Sequence, residues 1–180
     1  DDHCDGWGIA SNSNDLYREP IAATKSSHFK DEIAKHKSSG SLLHLRWATP
    51  GLPIAEKNTH PFTYGDISFI HNGALIPGDQ LDSKIPAHLK AKIVGDTDSE
   101  RYFWFVISEI EKHGFIEGVK SALRYIKENT NFSSINCMIM NNETFIAACI
   151  YNQEKIPDRF KHQPDYYRLK YTERDGNVIV

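Results

Sequence analysis

With 180 residues, a formal charge of -3, 39% apolar and 25% charged residues, the chain fits one domain, since domains commonly run ~100 to 200 residues. The balance leaves no basic patch for nucleic acid and no composition for a disordered tail or a membrane-surface protein. No apolar run approaches the ~18 residues of a membrane span, and no charged-then-apolar leader precedes the first strand. Cys4, Cys137 and Cys149 are odd in number and lack metal-type spacing, which favours a reducing cytoplasm over a disulfide framework or zinc finger. The sequence starts at Asp1 and ends on an apolar strand, Gly176 to Val180. Both ends read as cut, so a single domain over 1–180 is expected to lack its extreme N-terminal segment and the end of its C-terminal strand region.

In chain order, Trp7 and Ile9 lie on one side of the polar cluster Ser11-Asn12-Ser13-Asn14 and Leu16-Tyr17 on the other, which predicts an opening hairpin. His28 to Lys37 reads as a surface helix, broken by Ser38-Ser39-Gly40, and Ser41 to Trp47 as a buried strand. Residues 48 to 66 hold three prolines and two glycines and read as a long loop, of the kind that is usually functional. Ile67 to Ile70 resumes as a strand ending in His71-Asn72-Gly73, and residues 74 to 95 are again irregular.

Thr97-Asp98-Ser99-Glu100 matches a capping box, in which the threonine and glutamate side chains satisfy free amides at a helix start. Phe103, Val106, Ile107 and Ile110 follow at helical spacing until His113-Gly114. Phe115, Val119, Ala122, Leu123 and Ile126 repeat the pattern on a second helix ending near Asn129, and the pair is expected to pack on one side. Ile135 to Met140 and Thr144 to Ile150 read as strands joined by a tight turn at Asn141-Asn142. Tyr166 to Tyr171 and Val178 to Val180 form a further hairpin through Asp175-Gly176. Strands, then helices, then strands, linked by hairpins, predict an α+β fold of antiparallel sheets covered by helices.

Arg46 closes an apolar strand, where its planar fork could pair with a substrate carboxylate; an internal salt bridge is the alternative. Thr49 adds a hydroxyl three residues on, or simply stabilises a turn. Asn72-Gly73 sets a carboxamide beside an unhindered backbone N-H, which suits an oxyanion hole and equally suits a type I′ turn. Asp96 and Asp98 flank a helix start, where either could bind an ammonium or interact with the helix dipole. His3 and Asp5 form a polar cluster at the mouth of the first strand. Together with His44, His60 and His71 they also allow a metal-site reading, although no histidine pair has the i, i+4 spacing of a helical zinc motif. Cys137 and Cys149, in expected core strands, read as packing residues.

Five blocks in order, His3-Cys4-Asp5-Gly6-Trp7-Gly8, His44 to Thr49, Asn58-Thr59-His60-Pro61-Phe62, His71-Asn72-Gly73 and Gly95 to Glu100, together resemble the class II glutamine amidotransferase domain. This is an N-terminal-nucleophile hydrolase domain, and the likeness is to its stand-alone branch with a His-x-Asp-Gly-Trp-Gly opening. The resemblance implies a four-layer α-β-β-α sandwich of two antiparallel sheets. It also implies that Arg46, assisted by Thr49, binds the glutamine α-carboxylate, that Asp98 rather than Asp96 binds the α-ammonium, and that Asn72 and the Gly73 N-H form the oxyanion hole. His60 and His71 would support these loops, as would His3 and Asp5, and Trp47 would pack under the site. No metal or other cofactor is implied.

The family nucleophile is an N-terminal cysteine lying upstream of the His-x-Asp-Gly-Trp-Gly block, whose variable position Cys4 occupies here. The residue bearing it is therefore expected outside this sequence. The implied substrate is glutamine or a γ-glutamyl amide or peptide, with an ammonia-accepting synthase as partner and neither nucleic acid nor membrane. Pro50, where synthase relatives often have histidine, departs from the pattern. A metal-dependent hydrolase and a non-catalytic amino-acid-binding domain are the competing readings.

Overall fold

The computed structural model describes residues 3–160, 162–163 and 165–180. It is a mixed α/β fold in which every strand pairing is antiparallel. In the first sheet β1 (Trp7–Ser11) is central, flanked by β2 (Leu16–Glu19) and β3 (Ser41–Leu45). The turn between β1 and β2 uses Asn14 at φ 67, a conformation that asparagine tolerates better than most residues. Helix α1 (Phe29–Lys35) lies on the outer face, with the Phe29 ring edge-on to Trp7 at 4.8 Å.

β3 is shorter and less buried than its apolar sequence implied. It ends at Leu45, and its alternation leaves Leu43 and Leu45 43% and 42% exposed while Leu42 is buried. An edge strand with only one covered face follows period two, whatever its composition.

The second sheet runs β4-β5-β6-β7: Phe62–Tyr64, Ile67–Leu75, Phe132–Met140 and Phe145–Ala148. β4 lies inside the expected long loop, where pairing of Phe62 with Phe69 makes a strand of it. β5 runs straight through His71-Asn72-Gly73, and Asn72 and Gly73 pair with Asn136 and Ile135. The Asn-Gly dipeptide is thus not a hairpin turn. Asn141-Asn142 is not a positive-φ turn either: the Asn141 side chain accepts from the N-H groups of Glu143 and Thr144 and closes a longer loop.

Ala10 and Leu42 of the first sheet meet Ile70 and Met140 of the second. On the opposite face of the second sheet lie α3 (Asp98–His113) and α4 (Phe115–Asn129), forming the main core with Phe69, Ile135 and Ile139. α3 is not packed on one side only. Tyr102 to Ile107 are consecutively buried, because segment 76–95, with the short α2 (Ala87–Lys90), brings Leu81, Ile85 and Leu89 into the same core.

Half of the expected capping box forms. Thr97 Oγ1 accepts from the Glu100 N-H, but the Glu100 carboxylate turns to the N-H groups of Val94 and Gly95 in the preceding loop. Tyr166 to Tyr171 is not a strand; the last hairpin joins β8 (Thr172–Arg174) to β9 (Asn177–Ile179) through Asp175 and Gly176, both at positive φ. Cys149 lies beyond the end of β7 and is exposed, so only Cys137 is a core cysteine. Among the described residues no helix is long and apolar enough to cross a membrane.

The α3-α4 crossing depends on Gly118, where an added Cβ would lie 2.5 Å from the Ile110 Cα. An exposed helical glycine usually gains about 1 kcal/mol on replacement by alanine. Here Gly118→Ala is expected to lose about 1 to 3 kcal/mol through overpacking, read as a lower denaturant midpoint with an unchanged slope.

Candidate active site

A cavity of about 410 Å³ opens between the end of β3 and the C-terminal half of β5. Arg46, Trp47, Thr49, His60, His71, Asn72, Gly73, Asp98 and His3 line it. Asp5, Asp96 and the three cysteines, also singled out in the sequence, lie outside its wall.

The Arg46 backbone pairs with the run-in to β1, its N-H donating to Gly6 and its carbonyl accepting from Asp5. This fixes the side chain at the cavity edge. Arg46 as a residue is 4% exposed, and its guanidinium donates to the carbonyls of Asp5 at 3.4 Å and Pro53 at 3.3 Å. Among the described residues no carboxylate ion-pairs with it, so the internal salt bridge is not made. Burial lowers its pKa from the usual value, opposed by the nearby charge of Asp5. Asp5 itself caps the Ala48 N-H at 2.8 Å, and His3 donates from Nδ1 to the Leu45 carbonyl. Trp47 stands in the cavity wall, edge-on to Phe160 at 5.7 Å and to His3 at 5.9 Å. The Thr49 carbonyl accepts from Leu52 in a turn that carries the residue on the rim.

Gly73 sits at φ 143, and a Cβ there would fall 2.0 Å from the Ser134 carbonyl oxygen. Only glycine lets β5 pass β6 so closely. The ladder breaks just after it, between Gly73 and Leu75, as at a β-bulge, which frees backbone groups and re-aims the strand. The Asp98 carboxylate takes the Leu75 N-H at 2.7 Å through Oδ2; its Oδ1 has no hydrogen bond among the described residues. Asp96, by contrast, faces Lys57 at 2.9 Å and Asn58 at 3.1 Å, and these two hold its carboxyl below the usual range. Geometry therefore separates the two aspartates: one meets the cavity and the other anchors a loop.

Three histidines underlie the site. His71 donates from Nε2 to the Ser134 carbonyl at 3.2 Å, leaving Nδ1 to accept from the Ser99 hydroxyl at 2.9 Å. It thus ties β5 to β6 and to the first turn of α3. The His60 ring lies against that of His44, tilted by 35° with centroids 4.3 Å apart. Burial pushes all three rings down in pKa, His44 to about 3 and His60 well below its ordinary value, while the Asp98 charge pulls His71 partly back. Among the described residues no three His, Cys, Asp or Glu side chains converge to hold a metal ion. No cysteine lines the cavity either. Cys4 borders a separate one with Thr24 and Lys25, and the Cys137 thiol, buried against Tyr102, is pushed up to about 11.

The sequence did not point to the aromatic wall. Phe160 and Tyr166 stack at 3.8 Å and line the cavity with Tyr167. Tyr167 is held by its carbonyl, which accepts from Asn136, the residue paired with Asn72. The clue lay in Phe160, Tyr166 and Tyr167, of which the two tyrosines were read as the start of a strand over Tyr166 to Tyr171 and Phe160 was not assigned.

The family model described as class II glutamine amidotransferases matches residues 1–175, and the chain belongs to that family of enzymes, whose general chemistry is hydrolysis and transfer of the glutamine amide. The probable glutamine amidotransferase DUG3 of Saccharomyces cerevisiae is 30% identical over 98% of this chain and 50% of its own length. The isomerizing glutamine--fructose-6-phosphate aminotransferase of Acinetobacter baylyi is 31% identical over 68% of this chain and 20% of its own. The chain thus spans half the length of the first of these relatives and a fifth of the second. A solved glutamine aminotransferase class-II domain protein from Silicibacter pomeroyi shares the fold, with a TM-score of 0.58 and 23% identity over 80% of this chain and 68% of that one.

The buried histidines set a pH dependence of stability. Below their ordinary value of 6.5 the unfolded chain takes up protons that the folded rings refuse. Stability is therefore expected to fall as pH drops below 6.5, and for His44 to keep falling towards about 3, while above 6.5 these rings contribute no slope. Thermal melts between pH 7.5 and 4.5 should show a shallower decline for His44→Gln than for wild type.

Proposed function

We propose that this chain forms the glutaminase site of a class II amidotransferase, with residues 1–180 as one catalytic unit working in the cytoplasm. Arg46 pairs with the substrate α-carboxylate, Thr49 assists from the rim, and Asp98 takes the α-ammonium on the oxygen that Leu75 leaves free. What carries the reading is one observation: the buried Arg46, which has no carboxylate partner among the described residues, and the Asp98 carboxylate, with one oxygen bonded to the Leu75 N-H, line the same cavity as Asn72 and Gly73.

The nucleophile is the thiolate of an N-terminal cysteine outside these residues. An α-amine titrates near ~7.7 to 8.0 and a thiol near ~8.5, so one N-terminal residue supplies both a base and an attacking sulfur. The amine takes the thiol proton, the thiolate adds to the γ-carbonyl carbon, and the Asn72 carboxamide and Gly73 N-H receive the oxyanion. Collapse returns the proton to the departing nitrogen and expels ammonia. Water then hydrolyses the thioester to glutamate. The ammonia passes to an acceptor on a synthase partner.

A γ-glutamyl amide or peptide is the second substrate reading, favoured by the Phe160-Tyr166-Trp47 wall and by a cavity within the ~300 to 1,000 Å³ that holds ligands larger than an amino acid. Steady-state glutamate release by the full-length gene product tests the assignments. Asn72→Ala is expected to cut kcat about 100-fold to 1,000-fold with little change in KM, whereas Arg46→Ala should chiefly raise KM. Unchanged turnover in Asn72→Ala rejects the oxyanion role.

A further inference from the structure

We propose that Asn58 is a positioning residue: it fixes the separation between Arg46 and Asp98, and with it the span of the amino-acid head that the site accepts. The assignment rests on the substrate-binding reading of Arg46 and Asp98 given above.

Asn58 is fully buried and belongs to neither side of the cavity alone. Its Nδ2 donates to the Pro53 carbonyl at 3.1 Å and to Asp96 Oδ2 at 3.1 Å, and its Oδ1 accepts from the Asp96 N-H at 2.8 Å. The same Pro53 carbonyl accepts from the Arg46 guanidinium at 3.3 Å. One carboxamide thus joins the loop that orients Arg46 to the chain two residues before Asp98, at the start of α3. Gly95 lets the two loops close on it: a Cβ there would lie 2.7 Å from Asn58 Oδ1 and 2.8 Å from the Lys57 carbonyl oxygen.

The position demands a group with donors on one side and an acceptor on the other. Aspartate would set lone pairs against the Pro53 carbonyl and the Asp96 carboxylate, and an apolar side chain would fill the space without linking the loops. A misplacement of about 1 Å between two recognition groups suffices for large losses. A ligand gripped at both ends feels a change in their separation, whereas one gripped at a single end does not.

The test uses the full-length gene product with two substrates, glutamine and 4-carbamoylbutyrate, which lacks the α-amino group. Asn58→Ala is expected to raise the glutamine KM about tenfold or more, with kcat within about threefold, and to change kcat/KM for the analogue by less than about twofold. Because a variant at a buried site risks misfolding, Asp96→Ala serves as the second probe. Asp96 is exposed, its loss removes one of the three bonds, and the same KM-selective shift is expected. Asp96→Asn, which keeps an acceptor for Nδ2, should restore the wild-type KM, and Lys57→Ala, which removes only the outer ion pair, should leave it unchanged. Equal losses on both substrates, or an unaltered glutamine KM in Asn58→Ala and Asp96→Ala, overturn the positioning role. Wild-type protein releasing no glutamate from any γ-carboxamide overturns the reading of the site itself, and this assignment with it.

Discussion

The break in the β5 ladder after Gly73 is the constraint around which the site is organised. A buried backbone N-H without a partner costs about 1 to 3 kcal/mol, and the Asp98 carboxylate removes that cost at Leu75. Because Asp98 is the first residue of α3, the helix start is thereby placed against the strand. Ser99 then reaches His71, and Tyr102 and Phe103 close on Phe69 one turn further along. The helix enters the core where the strand needs it.

Electrostatically the site is divided. The imidazoles beneath it are neutral, since desolvation outweighs the nearby carboxylate even at His71. A neutral floor leaves the guanidinium and Asp98 as the charged groups of the wall on the β3 and α3 sides.

Sequence legibility followed the range of the interaction. Thr97 as a cap, the Asp175-Gly176 turn and the two long helices were readable because their causes lie within a few residues. Asn72-Gly73 remained open between turn and oxyanion hole, since the deciding partners, Asn136 and Ile135, are some sixty residues away. Range was not the whole of it: β4, which pairs with the strand next to it in sequence, and the turn of Glu100 to the 94–95 amides also escaped notice, because neither leaves a periodic signal in so short a segment. The cavity residues near Arg46 and Asn72 were legible through their motifs. The aromatic wall was not, because Phe160 and Tyr166 belong to no ladder and no helix long enough to show a period.

Asp98 lines the cavity and has one carboxylate oxygen committed to the backbone of β5. A side chain with two such obligations is hard to vary: glutamate would displace the strand, and a shorter residue would abandon it. Any change at this position therefore reaches the strand that bears Asn72 and Gly73 as well as the cavity wall.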